Sequence, residues 1–163
     1  MLPRRLRLLL PVLLAATLLS AALWQYHHQG QAPGAIPTQA GTPVGTSDEM
    51  NLLARLIAAE AGDEPYEGQV AVGAVVLNRV RSPLFPSTIS GVIFEPWAFE
   101  SVSNGRIWQV TDLASPSRAA ADALNGWDPT YGALFFWNPA KEVSPWIWTR
   151  SILTQIGRHV FAR

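Results

Sequence analysis

The chain has 163 residues, with 12 Lys and Arg against 12 Asp and Glu, and it contains no cysteine. This length allows one globular domain of about 110 to 120 residues and an N-terminal extension. Without the arginines at positions 4, 5 and 7, the chain has 9 Lys and Arg against 12 Asp and Glu, which argues against a nucleic-acid-binding protein, since such a protein needs a basic face. The lack of cysteine excludes disulfides, thiolate metal sites and cysteine nucleophiles.

The N-terminus has the pattern of a signal peptide or membrane anchor. Residues 1–24 carry three arginines among the first seven positions, followed by an uncharged run from Leu8 to Trp24. Positive residues before an apolar run are typical of export signals, and the run approaches the roughly 20 residues that span a bilayer. We therefore expect an exported protein, which contacts the membrane through this segment if the segment is not cleaved.

Residues 25–46 are predicted to form a flexible linker. They contain no charged side chain and many Gly, Pro, Ala and Thr residues, a composition that is typical of spacers. His27 and His28 lie in this stretch without a third ligand nearby, so we expect no metal site and no cofactor. The globular domain is then expected over residues 47–163.

Three helices and three strands are predicted within this domain. Capping residues, an apolar stripe and Gly62 favour a first helix from Ser47 to Ala61, with Thr46 and Glu49 spaced as a capping box. Short alternating or aromatic runs favour strands, and Thr88 to Ile93 fits a short helix or a strand. The further helices are Pro65 to Arg81 and Pro116 to Leu124, and the strands are Ala133 to Trp137, Ile147 to Thr154 and His159 to Ala162.

Glu60 is the candidate for acid chemistry. It follows Leu52 and Leu56 at successive steps of four residues, so a carboxylate ends the apolar stripe of the first helix. Burial beside leucines would favour the protonated form that a general acid needs. The alternative is a structural Glu at a helix end, bound to a backbone N–H or to an arginine.

Several sequence runs resemble one known family. The run EAGDEPYEGQVAVGAVVLNR at residues 60–79, with VIFEPWAFESVSNGRIW, GALFFWNP and WIWTR further on, resembles the SleB/CwlJ-type cell wall hydrolases, the spore cortex-lytic enzymes. The resemblance extends from Asn51 to the C-terminus. It implies an α+β fold of the lysozyme-like kind, with a helical lobe and a small antiparallel sheet.

The resemblance also implies an activity. In this family the residue matching Glu60 is the catalytic acid that cleaves the bond between N-acetylmuramic acid and N-acetylglucosamine in peptidoglycan. The reaction is usually lytic transglycosylation, which gives 1,6-anhydromuropeptides, and the setting is spore cortex lysis during germination. The expected location is the cell wall, or the spore cortex at the outer face of the inner membrane, and a regulatory protein partner is possible.

The chemistry needs one acid or two carboxylates. Cleavage requires a proton on the leaving glycosidic oxygen while an oxocarbenium-like centre develops, and hydrolysis adds a second carboxylate as nucleophile or base. Lytic transglycosylation needs Glu60 alone, because the muramic C6 hydroxyl attacks within the sugar. For plain hydrolysis by a muramidase or glucosaminidase, Glu95 or Glu100 is the candidate helper, and Glu100 replaces a small hydroxyl residue that is frequent in the family.

Other side chains are candidates for supporting or binding roles. We expect Glu67, in preference to Glu64, to support Glu60 together with Gln69, and His159 to be structural. Indole rings can stack on the flat C–H faces of sugars, and loops at strand ends commonly hold ligands. The candidates for glycan contact are Trp97, Phe99, Trp108, Asn138, Trp146 and Trp148.

A protein of a different class remains consistent with these residues. A peptidoglycan-binding envelope protein without catalytic activity would hold glycan in the same cleft without cutting it. Binding to insoluble wall without release of soluble muropeptides would favour this alternative.

Overall fold

Two packed helices open the domain and follow from apolar residues at helical spacing. In the computed structural model, which describes residues 47–163, α1 spans Ser47–Ala61 and α2 spans Tyr66–Arg81. Leu53 and Leu56 are fully buried on α1, as the stripe predicts. Both helices were expected from the sequence, and α2 begins one residue after its predicted first position.

The second helix is the centre of the helical lobe. Every residue from Gly68 to Leu77 is buried, and α2 packs against both α1 and α5, which spans Ala114–Leu124. A Cβ atom on Gly73 would lie 3.0 Å from Ile57 Cδ1 and 3.1 Å from Ala123 Cβ. This glycine therefore lets three helices approach more closely than a larger residue would allow.

Short helical elements connect the lobes. Thr88 caps α3, because its hydroxyl oxygen accepts a hydrogen bond from the Gly91 N–H at 3.0 Å. The ambiguous segment before residue 94 is therefore a helix and not a strand. These elements are α3 (Ile89–Ile93), α4 (Glu100–Ser103) and a 3-10 helix (Arg106–Trp108).

The three strands form one antiparallel sheet in the order β1-β3-β2. Phe136 pairs with Phe161 on one side of the middle strand, and Ile156 pairs with His159 on the other. The predicted α+β class is thus confirmed. The strands are β1 (Phe135–Trp137), β2 (Ile152–Ile156) and β3 (His159–Ala162).

The expected strand over residues 147–154 is wrong in its first half. A 3-10 helix occupies Pro145–Thr149, and β2 begins only at Ile152. Proline favours the start of a helical turn, and the Thr149 hydroxyl closes this one by donating to the Trp146 carbonyl at 2.7 Å. Alternating polarity alone did not reveal this turn.

Smaller differences concern the ends of elements. Helix α5 begins at Ala114, two residues before its predicted start, and the Asp112 carboxylate accepts a hydrogen bond from the Ala114 N–H at 3.1 Å. Strand β1 begins two residues after its predicted start at Ala133.

The leader over residues 1–24, the linker over residues 25–46 and the cap at Thr46 are predictions that lie outside the described residues. Within residues 47–163, no helix combines the length and the apolar character needed to cross a bilayer.

Candidate active site

A cleft of about 370 Å³ lies between the end of α1 and the sheet. The helical side contributes the last turn of α1 and the turn that follows it, whereas the sheet side contributes β1, the loop after β1 and the start of β3. The charged and polar side chains lining the cleft are Glu60, Asp63, Glu64, Arg79, Glu100, Arg106, Asn138, Lys141, Glu142, Arg158 and His159.

Glu60 lines this cleft from the last turn of α1 and is half-buried. Its Oε1 accepts a long hydrogen bond of 3.4 Å from the backbone N–H of Ser101, in the first turn of α4. That N–H has no partner within its own helix, so the contact aims the carboxyl group and leaves Oε2 for other partners. A general acid needs this placement on the wall of a cleft.

The surroundings of Glu60 differ from the expected apolar site. Leu56 is buried in the core one turn earlier, but the cleft itself is mostly polar and includes Arg79, Lys141 and Arg158. The leucine stripe therefore positions the helix, and it does not provide the surroundings of the carboxyl group.

Glu64 is the most buried carboxylate of the cleft, with 7% of its surface exposed. Its Oε1 pairs with Arg158 Nε at 2.6 Å, and its Oε2 accepts the Arg158 backbone N–H at 2.9 Å. The contact requires Gly157, which has φ +57° and whose missing Cβ would collide with the Glu64 carboxylate. Glu64, rather than Glu67, is the carboxylate that the fold holds beside the cleft.

The pKa of Glu64 lies below its ordinary value of 4.5. Burial acts to raise this pKa, but the backbone and side-chain hydrogen bonds from Arg158, with the charges of His159 and Arg158, together outweigh burial. Glu64 is therefore ionised at neutral pH.

His159 forms part of the cleft from the first position of β3 and is 7% exposed. Its ring packs edge-on against Phe136 at 5.3 Å, and its Nδ1 has no hydrogen-bond partner among the described residues. Burial lowers its pKa below 6.5, although the charges of Glu64 and Glu60 act in the opposite direction. The imidazole is therefore neutral at pH 7.

Arg79 is a buried cation of α2 that faces the sheet. Its Nε donates to the Leu134 carbonyl at 2.8 Å, and its guanidinium carbon lies 5.1 to 5.9 Å from the ring centres of Phe85, Phe99 and Phe135. Burial lowers its pKa to about 10, opposed by the charge of Glu95. It therefore stays protonated at neutral pH and links the helical lobe to β1.

The structure brings some predicted site residues together. Phe99 and Asn138 line the cleft with Glu60, whereas Trp97 and Trp146 line a neighbouring groove. Of the two candidate helper carboxylates, Glu100 lines the cleft and Glu95 lines the groove.

Four predicted residues line neither the cleft nor this groove: Glu67, Gln69, Trp108 and Trp148. Gln69 is buried and structural, since it donates to the Glu64 carbonyl at 3.2 Å and accepts from the Ser115 hydroxyl at 2.9 Å. Trp108 stacks on Phe94 and Trp148 packs edge-on against Trp137.

Glu67 is exposed in the first turn of α2. Its negative charge is favourable there because the N-terminus of a helix carries a partial positive charge.

Sequence reasoning did not single out Arg79, and it ranked Glu67 above Glu64 as the carboxylate that supports Glu60. Arg79 had a usable signal, because it is a charge near the end of an otherwise apolar helical run, and such a charge must find partners when buried. The Glu64 contact had no comparable signal, since Arg158 lies 94 positions away.

Among residues 47–163, no group of three acidic or histidine side chains is arranged to hold a metal ion.

Comparison with known sequences identifies a family pattern. Residues 63–162 match the family described as Cell Wall Hydrolase. A spore cortex-lytic enzyme of Oceanobacillus iheyensis is 49% identical over 138 residues, which are 83% of this chain and 49% of the relative. The spore cortex-lytic enzyme of Bacillus subtilis is 49% identical over 71% of this chain and 38% of its own length. The chain thus spans half or less of these curated relatives.

Two solved structures are similar over their whole length. The catalytic domain of the Bacillus cereus SleB protein has a TM-score of 0.68 and 45% identity, covering 81% of this chain and 100% of that one. The catalytic domain of the germination-specific lytic transglycosylase SleB from Bacillus anthracis has a TM-score of 0.69 and 44% identity, covering 78% and 100%.

Proposed function

We propose that this chain, which belongs to the Cell Wall Hydrolase family, cleaves peptidoglycan between N-acetylmuramic acid and N-acetylglucosamine. The observation that carries the proposal is the position of Glu60, half-buried on the cleft and held by the Ser101 N–H. The names of the similar proteins support a role in spore cortex lysis during germination.

Glu60 is the general acid in this proposal. It donates its proton to the leaving glycosidic oxygen as positive charge develops on the muramic C1. The muramic C6 hydroxyl then attacks C1, and its proton returns to Glu60. The product is a 1,6-anhydromuropeptide, and no water enters the bond that is broken.

The state of Glu64 favours this single-acid route over double displacement. A nucleophilic carboxylate needs a free oxygen facing the sugar, but Arg158 binds both oxygens of Glu64. Arg158 therefore occupies both oxygens of Glu64, the most buried carboxylate of the cleft, in a structural contact. Of the two helper carboxylates expected from the sequence, Glu100 lines the cleft and is exposed, so it is the candidate for assisting a water molecule.

The proposed location is the cell wall or spore cortex, which is where the substrate lies. Export through residues 1–24 is part of this proposal, as are a membrane contact of that segment and control by a protein partner. Peptidoglycan glycan strands are the proposed binding partner of the cleft.

The test uses the full-length protein on insoluble peptidoglycan from spores and from vegetative cells. Released muropeptides are analysed by mass spectrometry, in which an anhydro product is lighter than a hydrolysed one by one water. We expect Glu60→Gln to lower the release rate about 10²- to 10⁴-fold while the fold is retained, as followed by circular dichroism. Asp48→Asn, at the exposed opposite end of α1, is the control.

Each other outcome points to a different function. A Glu60→Gln variant that releases muropeptides at the wild-type rate would remove Glu60 from the mechanism. Products that retain the water would favour a muramidase or glucosaminidase. Binding to the wall without any release by the wild type would favour a non-catalytic envelope protein.

A further inference from the structure

A second groove lies next to the Glu60 cleft, between the segment before α4 and strand β1. It has a volume of about 270 Å³ and shares Arg79, Ala98 and Phe136 with the cleft. Trp97 and Trp146 lie on this groove and not on the cleft. We call it the aromatic groove. Because the two share three wall residues, they lie next to each other, within the span of one polymer strand.

Trp97 combines two unfavourable features. Its side chain is 91% exposed, and its backbone has φ +66°, in the left-handed region that glycine prefers. A bulky residue in this conformation stores backbone strain, and an exposed indole gains nothing from burial to offset it. A glycine here would relieve the strain, so the indole itself requires an explanation. Its position at the groove indicates that the ring is presented to a ligand.

Trp146 is held more firmly. One edge of its ring packs against Phe135, with ring centres 5.5 Å apart and an angle of 88°. The Arg150 guanidinium lies over the ring at 5.2 Å, and 49% of the residue remains exposed. The groove therefore has one anchored indole and one freely presented indole.

We propose that the aromatic groove binds a further sugar ring of the same glycan strand that is cut at Glu60, with Trp97 as its stacking platform and Trp146 as the anchored wall. The proposal rests on the proposed function. The C–H faces of a pyranose ring are apolar and match an indole face, while its hydroxyl and N-acetyl groups need polar partners. Arg79 and Glu95 line the groove and provide a donor and an acceptor.

The consequence is a dependence on strand length. A strand long enough to reach the aromatic groove gains the stacking energy, whereas a shorter strand bound only at Glu60 does not. Since stacking acts on binding, it should lower KM for long strands and leave kcat almost unchanged.

The test measures kcat and KM of the full-length protein on peptide-free glycan strands of increasing length. Trp97→Gly should raise KM for long strands about 5- to 10-fold, leave the shortest cleaved strand unaffected and change kcat less than about 2-fold. The melting temperature should stay within about 3 °C of wild type, because the lost strain offsets the added freedom of the unfolded chain. Trp97→Phe should recover part of the binding.

Tyr131→Gly is the matched control. Tyr131 is also an exposed aromatic residue with a positive φ of +58°, and it is 77% exposed. It lies in the loop after Asp128, away from the cleft and the groove. This variant should have wild-type KM at every strand length.

The outcomes separate the two proposals. If the wild type releases no anhydro product, the proposed function fails. If the wild type cuts and Trp97→Gly has wild-type KM on long strands, only the groove proposal fails. If Trp97→Gly raises KM only for peptide-bearing strands, the groove binds the stem peptide. If Tyr131→Gly raises KM equally, the change in KM is unspecific. Either result overturns the groove proposal.

Discussion

The two sides of the cleft differ in how their side chains are held. On the helical side, α2 is buried from Gly68 to Leu77, and Glu60 and Glu64 extend from the end of α1 and the turn before α2. On the sheet side, the segment between β1 and β2 exposes two large rings, Trp146 and Trp148. Dense packing thus fixes the acidic groups, whereas the residues suited to holding a flexible polymer lie where packing is loose.

This difference indicates a division of labour. Proton transfer tolerates little displacement of the acid, so the acid belongs on an element whose position the core determines. Glycan recognition can use platforms that adjust to successive sugars. Substitutions at the contacts that join the two sides, at Arg79 and at Glu64, therefore test this comparison.

Removing the Arg79 side chain should have the largest effect on stability. Arg79→Ala removes the hydrogen bond to the Leu134 carbonyl and the contacts with three phenylalanine rings, and it leaves a cavity between the lobes. We expect a loss of about 2–4 kcal/mol in the free energy of unfolding, measured by urea titration.

Arg81→Ala is its control, because Arg81 is exposed in the last turn of the same helix. It should change the free energy of unfolding by less than about 0.5 kcal/mol. If both variants are equally stable, Arg79 does not join the two sides.

A methyl group at Gly157 should have the next largest effect. Gly157→Ala places a Cβ on a residue whose backbone is in the left-handed region, and this Cβ would collide with the Glu64 carboxylate. We expect a loss of about 2 kcal/mol in thermal or urea unfolding. Gly105→Ala is matched, since φ is +77° and nothing lies within 4 Å of its added Cβ, so it should lose only about 1 kcal/mol. Equal losses would mean that the contact with Glu64 adds nothing.

The smallest effect should be the pH-dependent one at Glu64. Its folded pKa lies below 4.5, so the contact stabilises fully above the unfolded pKa and is lost as the pH falls through the folded value. Glu64→Gln should cost about 1 kcal/mol at pH 7, a modest value because the Arg158 side chain is 60% exposed.

The difference between wild type and Glu64→Gln should shrink as the pH falls from 5 towards 3, measured as melting temperature. Arg158→Ala should reproduce part of the loss, and the double variant should be less destabilised than the sum of the two. A difference that is constant from pH 3 to pH 7 would contradict the assignment. His159, whose pKa is also lowered, reduces the stability of both proteins below pH 6.5.

The helical side could be predicted almost completely from the sequence. Periodic apolar residues and capping signals are local, so Ser47–Ala61 was predicted with its observed ends. They also brought out Glu60 as the carboxylate that follows the stripe. The family resemblance, and not the periodicity, gave this residue a catalytic role.

The sheet side could be predicted only in outline. Three strands were expected, but the helical turn at Pro145–Thr149 depends on a hydrogen bond between neighbouring residues that alternation does not reveal. The burial of Glu64 depends on a turn near the C-terminus, and no local pattern encodes such a distant contact. Aromatic residues could be proposed for glycan contact, but their position on the cleft, on the groove or on neither required the structure.

The order of the strands has a consequence for biosynthesis. Strand β3 lies in the middle of the sheet and is the last of the three to leave the ribosome, and β1 and β2 pair with it and not with each other. Until His159–Ala162 has been made, both earlier strands lack their partner in the sheet. One wall of the cleft is therefore missing until these four residues have been added, so the cleft is completed only after the last of the three strands has been made.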